Sequence, residues 1–233
     1  MSNTVKNNEP EYELIENPDA LAERLSQSEE YVKKNKNLLI GLIAAIALAI
    51  AGAFFYFSNK TTKENEAQAS MFQAVYYFEA DSLNKALNGD GQAIGLLRIT
   101  EEYSGTDAAN MAHFYIGVSY LKQGNYQEAL NHLQDFSSDD IMIQARAYSL
   151  QGDAHMELGN ATEAANMYVK AANHKGNKYF SPGYLMKAGL AFETANDYNS
   201  AIEAYDKIVN DYPEAVEVTD AKKYKARAEG LKG

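Results

Sequence analysis

The 233 residues carry 21 Lys and Arg against 32 Asp and Glu, a net charge of −11, with no cysteine and no tryptophan. A chain this acidic argues against nucleic acid as a partner and against an electrostatic grip on a membrane surface. The missing cysteine excludes disulfides, a thiolate nucleophile and any thiolate metal site.

Residues 1–37 form an acidic tail with five basic and eight acidic side chains. Met1–Pro10 is polar and lacks the apolar content of a core. Pro18-Asp19 marks a helix start, with Asp19 as its cap. Leu21, Leu25 and Val32 then fall near helical spacing, a narrow stripe that either docks on a cytoplasmic partner or only leads into the next segment.

That segment, Leu38–Phe57, reads LLIGLIAAIALAIAGAFFYF and lies in a stretch of 23 residues, Asn37–Asn59, without one Asp, Glu, Lys or Arg. At ~1.5 Å per residue it matches a hydrocarbon core of about 30 Å. An ordinary core helix keeps a polar stripe, and this one has none. The apolar run is too long and starts too late for a cleaved leader, so it reads as targeting signal and anchor in one. Arg24, Lys33, Lys34 and Lys36 precede it and Lys60 and Lys63 follow, which places the N-terminus in the cytoplasm and the body across the membrane. Gly41, Ala45, Ala49 and Ala53 recur every fourth residue, a face on which another membrane helix can approach closely.

Residues 58–233 carry 16 basic and 24 acidic side chains and show no alternating strand pattern. The expected class is all-α. Ala67–Leu87 reads as one long helix, Asn88-Gly-Asp-Gly91 as a turn and Ala93–Tyr103 as a second helix. Three segments then align: Phe114–Ala129, Ser149–Ala164 and Met186–Ala201. Their glycines, Gly117, Gly152 and Gly189, are 35 and 37 residues apart, as are Ala129, Ala164 and Ala201. The small Gly lets two helices cross closely, and an aromatic or His three residues on (Tyr120, His155, Phe192) fills the next layer. Leu133, Tyr168 and Tyr205 are expected to wedge between neighbouring repeats. Asn125 with Glu128, and Asn160 with Glu163, look like capping pairs, absent from the third segment. Pro213 stands where the third segment's second helix must stop. Val218–Leu231, with Lys222, Lys223, Lys225 and Arg227, reads as a solvated closing helix.

These segments resemble the tetratricopeptide repeat (TPR), whose period is about 34 residues. The usual Trp of that pattern is replaced by His113, Tyr148 and Leu185. The resemblance implies a solenoid of about three helical hairpins, with residues 64–106 as a divergent helix pair at its start and a capping helix at its end, carried on a single N-terminal membrane helix. The expected organisation is a tail at 1–37, a span at 38–57 and a TPR domain at 58–233. It also implies a groove lined by the first helix of each repeat: Met111, Phe114, Val118 and Leu121, then Arg146, Ser149, Asp153 and Met156, then Met186, Leu190 and Glu193. Methionine-containing apolar surfaces repack around varied partners.

No constellation for catalysis is present. His113, His132, His155 and His174 show no metal-binding spacing, and no phosphate loop or nucleophile elbow occurs. The expectation is a non-enzymatic protein with no cofactor and no metal. The layout of tail, single span and acidic TPR body resembles the bacterial inner-membrane TPR family that accompanies the Sec translocon. That resemblance implies a periplasmic body and, as partners, translocon subunits, a membrane-anchored periplasmic chaperone or prolyl isomerase, and secreted clients handled in a chaperone-like way. The alternative is a structural scaffold of a cell-envelope or cell-division complex; a third reading inverts the topology and leaves the body in the cytoplasm.

Overall fold

The computed structural model describes residues 18–233, so the polar stretch Met1–Pro10 lies outside the described residues. Among the described residues there are eleven helices and no strand beyond one isolated bridge between Gly89 and Ile94. The chain divides into two compact units, one ending at Asn59 and the other spanning Lys60–Gly233.

In the first unit, helix α1 (Pro18–Lys34) opens on a proline, which gives up no useful N–H in a first turn. Asp19 therefore sits inside the first turn and not at the cap the sequence implied. Lys33 and Lys34 close the helix against its dipole, and Glu29 pairs with Lys33 at 2.9 Å. Leu21, Leu25 and Val32 are exposed. Helix α2 (Lys36–Glu79) starts in this unit and is the one helix among the described residues long and apolar enough to cross a membrane. Its apolar side chains stand open, Leu48 being 74 % and Phe54 75 % exposed. Ser58–Glu66 contains neither Gly nor Pro, so nothing ends α2 there, and it continues to Glu79 within the second unit.

The helix expected over Ala67–Leu87 is broken. Asp81 takes a left-handed backbone (φ 56°) and the Ser82 N–H reaches back to the Tyr77 carbonyl at 2.8 Å. Helix α3 (Leu83–Asn88) then sets off afresh. In the next turn Asp90 accepts from the Ala93 and Gln92 amides and from the Tyr77 hydroxyl, the last at 2.6 Å. Those bonds, the Ala93 amide first, hold the Asp90 carboxyl down at about 2. Ala93 and Ile94 are used in that turn and bridge, so helix α4 (Leu96–Glu102) is shorter than the Ala93–Tyr103 expected. Ala74, Leu87, Leu96, Ile99, Ala112 and Ile116 share one core at this end.

Three hairpins follow: α5 (Asp107–Gln123) with α6 (Tyr126–Asp135), α7 (Ile141–Glu157) with α8 (Ala161–Asn173), and α9 (Ser181–Thr194) with α10 (Tyr198–Asp211). Helix α11 (Val218–Lys232) closes the array. Each hairpin turns the same way. Gly124, Gly159 and Asn196 are left-handed, and the next amide donates to the carbonyl of Tyr120, His155 or Phe192 at 2.8–2.9 Å. The capping expectation is reversed. Asn125 and Asn160 make no side-chain cap bond, while Asp197, in the segment that lacked the pair, accepts from the Ser200 amide at 3.1 Å. The carboxylate of Asp197 accepts from an amide more strongly than a neutral Asn carbonyl does.

The crossing of each hairpin explains its glycine. A Cβ on Gly117 would stand 2.5 Å from Leu133 Cγ, and one on Gly152 would stand 2.6 Å from Tyr168 Cε1. At Gly189 it would overlap the Tyr205 ring. Leu133, Tyr168 and Tyr205 thus fill the crossing inside their own hairpin, and the two tyrosines also reach the next element: Lys187 Nζ lies 5.2 Å over the Tyr168 ring and the Tyr224 ring stands 6.0 Å from that of Tyr205. Ala129, Ala164 and Ala201 are fully buried. Helix α10 stops at Asp211, two residues before Pro213.

Candidate protein-binding surface

The first helices of the hairpins carry the residues expected to line a groove, and the structure distributes them unevenly. Met111 borders a cleft of about 500 Å³ between the Lys60–Glu79 part of α2 and α5, with Met71, Phe72, Tyr76 and Tyr115. Phe114 faces a different cleft of about 340 Å³, with Ile141, Met142, Arg146, Phe180 and Tyr184. Its ring also packs on Phe136 at 5.2 Å. Val118 and Leu121 are half-buried and border neither cleft. Met156 and Met186 pack on the core formed by α8 to α11. Leu190 is 40 % exposed. Tyr120 stacks near His132, and Phe192 is buried in the core with Tyr205.

Three further positions expected in the groove are held by the fold. Ser149 is fully buried. Asp153 accepts from the Tyr168 hydroxyl and from Lys187 Nζ, both at 2.7 Å. Glu193 accepts from the Tyr205 hydroxyl at 2.7 Å and binds the Arg227 guanidinium through both oxygens at 2.8–2.9 Å. Burial, then the carboxylate bond, pushes both tyrosine hydroxyls well above their ordinary range. The guanidinium of Arg227 also lies 4.6 Å over Tyr224. Helix α11 is therefore not simply solvated: Arg227 and Lys225, the latter paired to Asp206 at 2.6 Å, bind it to the hairpin before it.

A histidine pair that no spacing in the chain announces lies in the first hairpin. His113 Nδ1 and His132 Nδ1 face each other at 3.0 Å, with Asp135 Oδ2 3.9 Å from His113. One ring donates and the other accepts, so the accepting imidazole must be neutral and both cannot be charged at once. Burial holds both below the ordinary histidine value, and the neighbouring His113 charge lowers His132 further. No group of three or more His, Asp or Glu among the described residues is placed to hold a metal.

On α2, Gly41 has nothing within 4 Å of where a Cβ would stand. Ala45, Ala49 and Ala53 follow it on the same open helix.

A tetratricopeptide repeat family model matches residues 91–140, 114–179 and 149–216, more than half the chain. The chain belongs to the tetratricopeptide repeat family. The matched TPR windows cover all three hairpins and end just beyond Pro213, leaving α11 outside. A TPR array is generally an interaction fold, and its partners are proteins. No curated protein matches the chain.

Proposed function

We propose that this TPR protein is a membrane-anchored, non-catalytic accessory of the bacterial Sec translocon with chaperone-like contact to secreted proteins. The observation that carries the reading is the joining, in one chain, of a helix long and apolar enough to span a membrane to a TPR array with open apolar clefts. The basic residues before the span favour a cytoplasmic N-terminus and a periplasmic body. The small face of Gly41, Ala45, Ala49 and Ala53 docks on a partner span, and the clefts at Met111 and Phe114 meet protein segments with low affinity.

The test is a mild-detergent pull-down of the full-length protein, beside a variant carrying Ala45→Leu and Ala49→Leu. Translocon subunits recovered with the native chain and lost with the variant are the expected result. Recovery of division or envelope proteins without translocon overturns it. That outcome favours the scaffold reading, which the rigid ties Asp153–Lys187 and Glu193–Arg227 also support, because a stiff array suits one partner of fixed shape.

A further inference from the structure

The cleft at Met111 has a shape and a charge that together specify an occupant. Its α2 wall runs from Glu64 through Met71, Phe72, Val75 and Tyr76 to Glu79. At ~1.5 Å per residue that wall is about 22 Å long, four turns of helix. The facing wall is the start of α5, with Met111 and Tyr115. Phe72 is 76 % and Tyr76 58 % exposed, among the most open large apolar side chains of the second unit. Two helices side by side with open aromatics between them leave the kind of trough that a third helix fills.

The charged residues on its border are all acidic. Glu64, Glu79 and Asp107 line the cleft, and no Lys or Arg does. Glu64 is already engaged: its two oxygens accept from the first amides of α5, Asp107 at 2.7 Å and Ala108 at 3.1 Å. Glu79 and Asp107 have no side-chain cation paired to them among the described residues. They stand near opposite ends of the trough, Asp107 in the first turn of α5.

We infer that this cleft takes an amphipathic helix of a partner protein, about four turns long, with an apolar stripe flanked by Lys or Arg. The stripe seats on Phe72, Tyr76 and Met111, and the cations meet Glu79 and Asp107. The inference rests on the reading of the body as a protein-interaction module and names the class of segment it engages.

The probe is a synthetic peptide with Leu at i, i+3, i+4 and i+7 and Lys on both flanks of that stripe. A twin carries Glu in place of Lys. Binding is read by fluorescence anisotropy on the full-length protein in nanodiscs of zwitterionic lipid, with empty nanodiscs as baseline. The Lys peptide should bind roughly tenfold tighter than its twin, and the preference should shrink as salt rises. Phe72→Ala with Tyr76→Ala should weaken it by roughly tenfold, since exposed aromatics act as anchors and their loss leaves the core intact. Glu79→Lys should reverse or erase the preference for Lys over Glu. Equal binding of the two peptides, or binding indifferent to the aromatic pair, overturns the inference. So does self-association of the native chain that Phe72→Ala with Tyr76→Ala abolishes, because the occupant is then a second copy. If the peptides fail while translocon recovery persists in the Phe72→Ala, Tyr76→Ala variant, the cleft is refuted and the translocon reading stands.

Discussion

The first hairpin and the two that follow solve the same crossing with different chemistry. In α5 and α6 the space beside Gly117 is filled by Leu133, which asks nothing further of its surroundings. In the next two hairpins the filler is a tyrosine, and a buried hydroxyl needs a partner. Asp153 and Glu193 supply it. Each carboxylate then needs a cation, and each finds one on the first helix after its own hairpin, Lys187 or Arg227. Val118 and Leu121 occupy the matching places in the first hairpin, so that chain of requirements never starts there. A filler chosen for packing thus decides whether a repeat is ionically bound to its successor.

The largest expected effect separates the two kinds of filler. Gly189→Ala should destabilise the second unit by about 3 kcal/mol in denaturant unfolding, because the Tyr205 ring is pinned through Glu193 and cannot yield. Gly117→Ala should cost about 1 kcal/mol, since Leu133 can change rotamer and alanine favours the helix. Equal losses would show that the tyrosine hydroxyl does not fix its ring.

The ties themselves come next. Glu193→Gln, at a side chain only 10 % exposed, should cost about 2 kcal/mol by leaving Arg227 and Tyr205 with a poorer acceptor. Asp153→Asn should cost less than about 1 kcal/mol, because Asp153 and Lys187 are 34 % and 42 % exposed and water takes part of the load. A double-mutant cycle of Glu193 with Arg227 would measure the coupling directly.

Where the later hairpins hold ion pairs, the first holds a hydrogen-bonded pair of imidazoles. Both are lowered from 6.5, so the unfolded chain binds protons more readily than the folded one as pH falls through that value. Stability should therefore decline on going from neutral pH to below 6.5. His132→Phe should flatten that dependence. A denaturant midpoint that does not move between neutral and mildly acidic buffer in the native chain would remove the pair from the account.

The smallest effect is in the turns. Asn196 occupies the left-handed position that glycine takes at Gly124 and Gly159. Asn196→Gly should stabilise by a few tenths of a kcal/mol, about what relief of a strained side chain provides. Thermal unfolding of the two chains side by side would register it.

The glycines, the alanines and the hairpin period were legible in the sequence because close crossings demand small residues at a fixed stride. The ties were not. Asp153 lies one residue after its glycine and Glu193 lies four after its own, so no alignment column holds them; only the turn of the helix brings both to one face. The capping pairs were misread because Asn125 and Asn160 fit the motif by residue type, whereas the side-chain cap forms only at Asp197, whose carboxylate is the stronger acceptor. The end of α2 was hidden because Ala80-Asp81-Ser82 contains no glycine or proline. His113 and His132, 19 residues apart, belong to no recognised spacing and meet only when α5 and α6 fold together.

Asp153 to Lys187 and Glu193 to Arg227 both span 34 residues, and so does the bond between Asn173 and Lys207. A partner one full stride away means that a stretch of that length copied in tandem would set each residue against its own duplicate, Glu193 against a second glutamate and Lys187 against a second lysine. Such an array grows by duplication only if each new copy changes its charge.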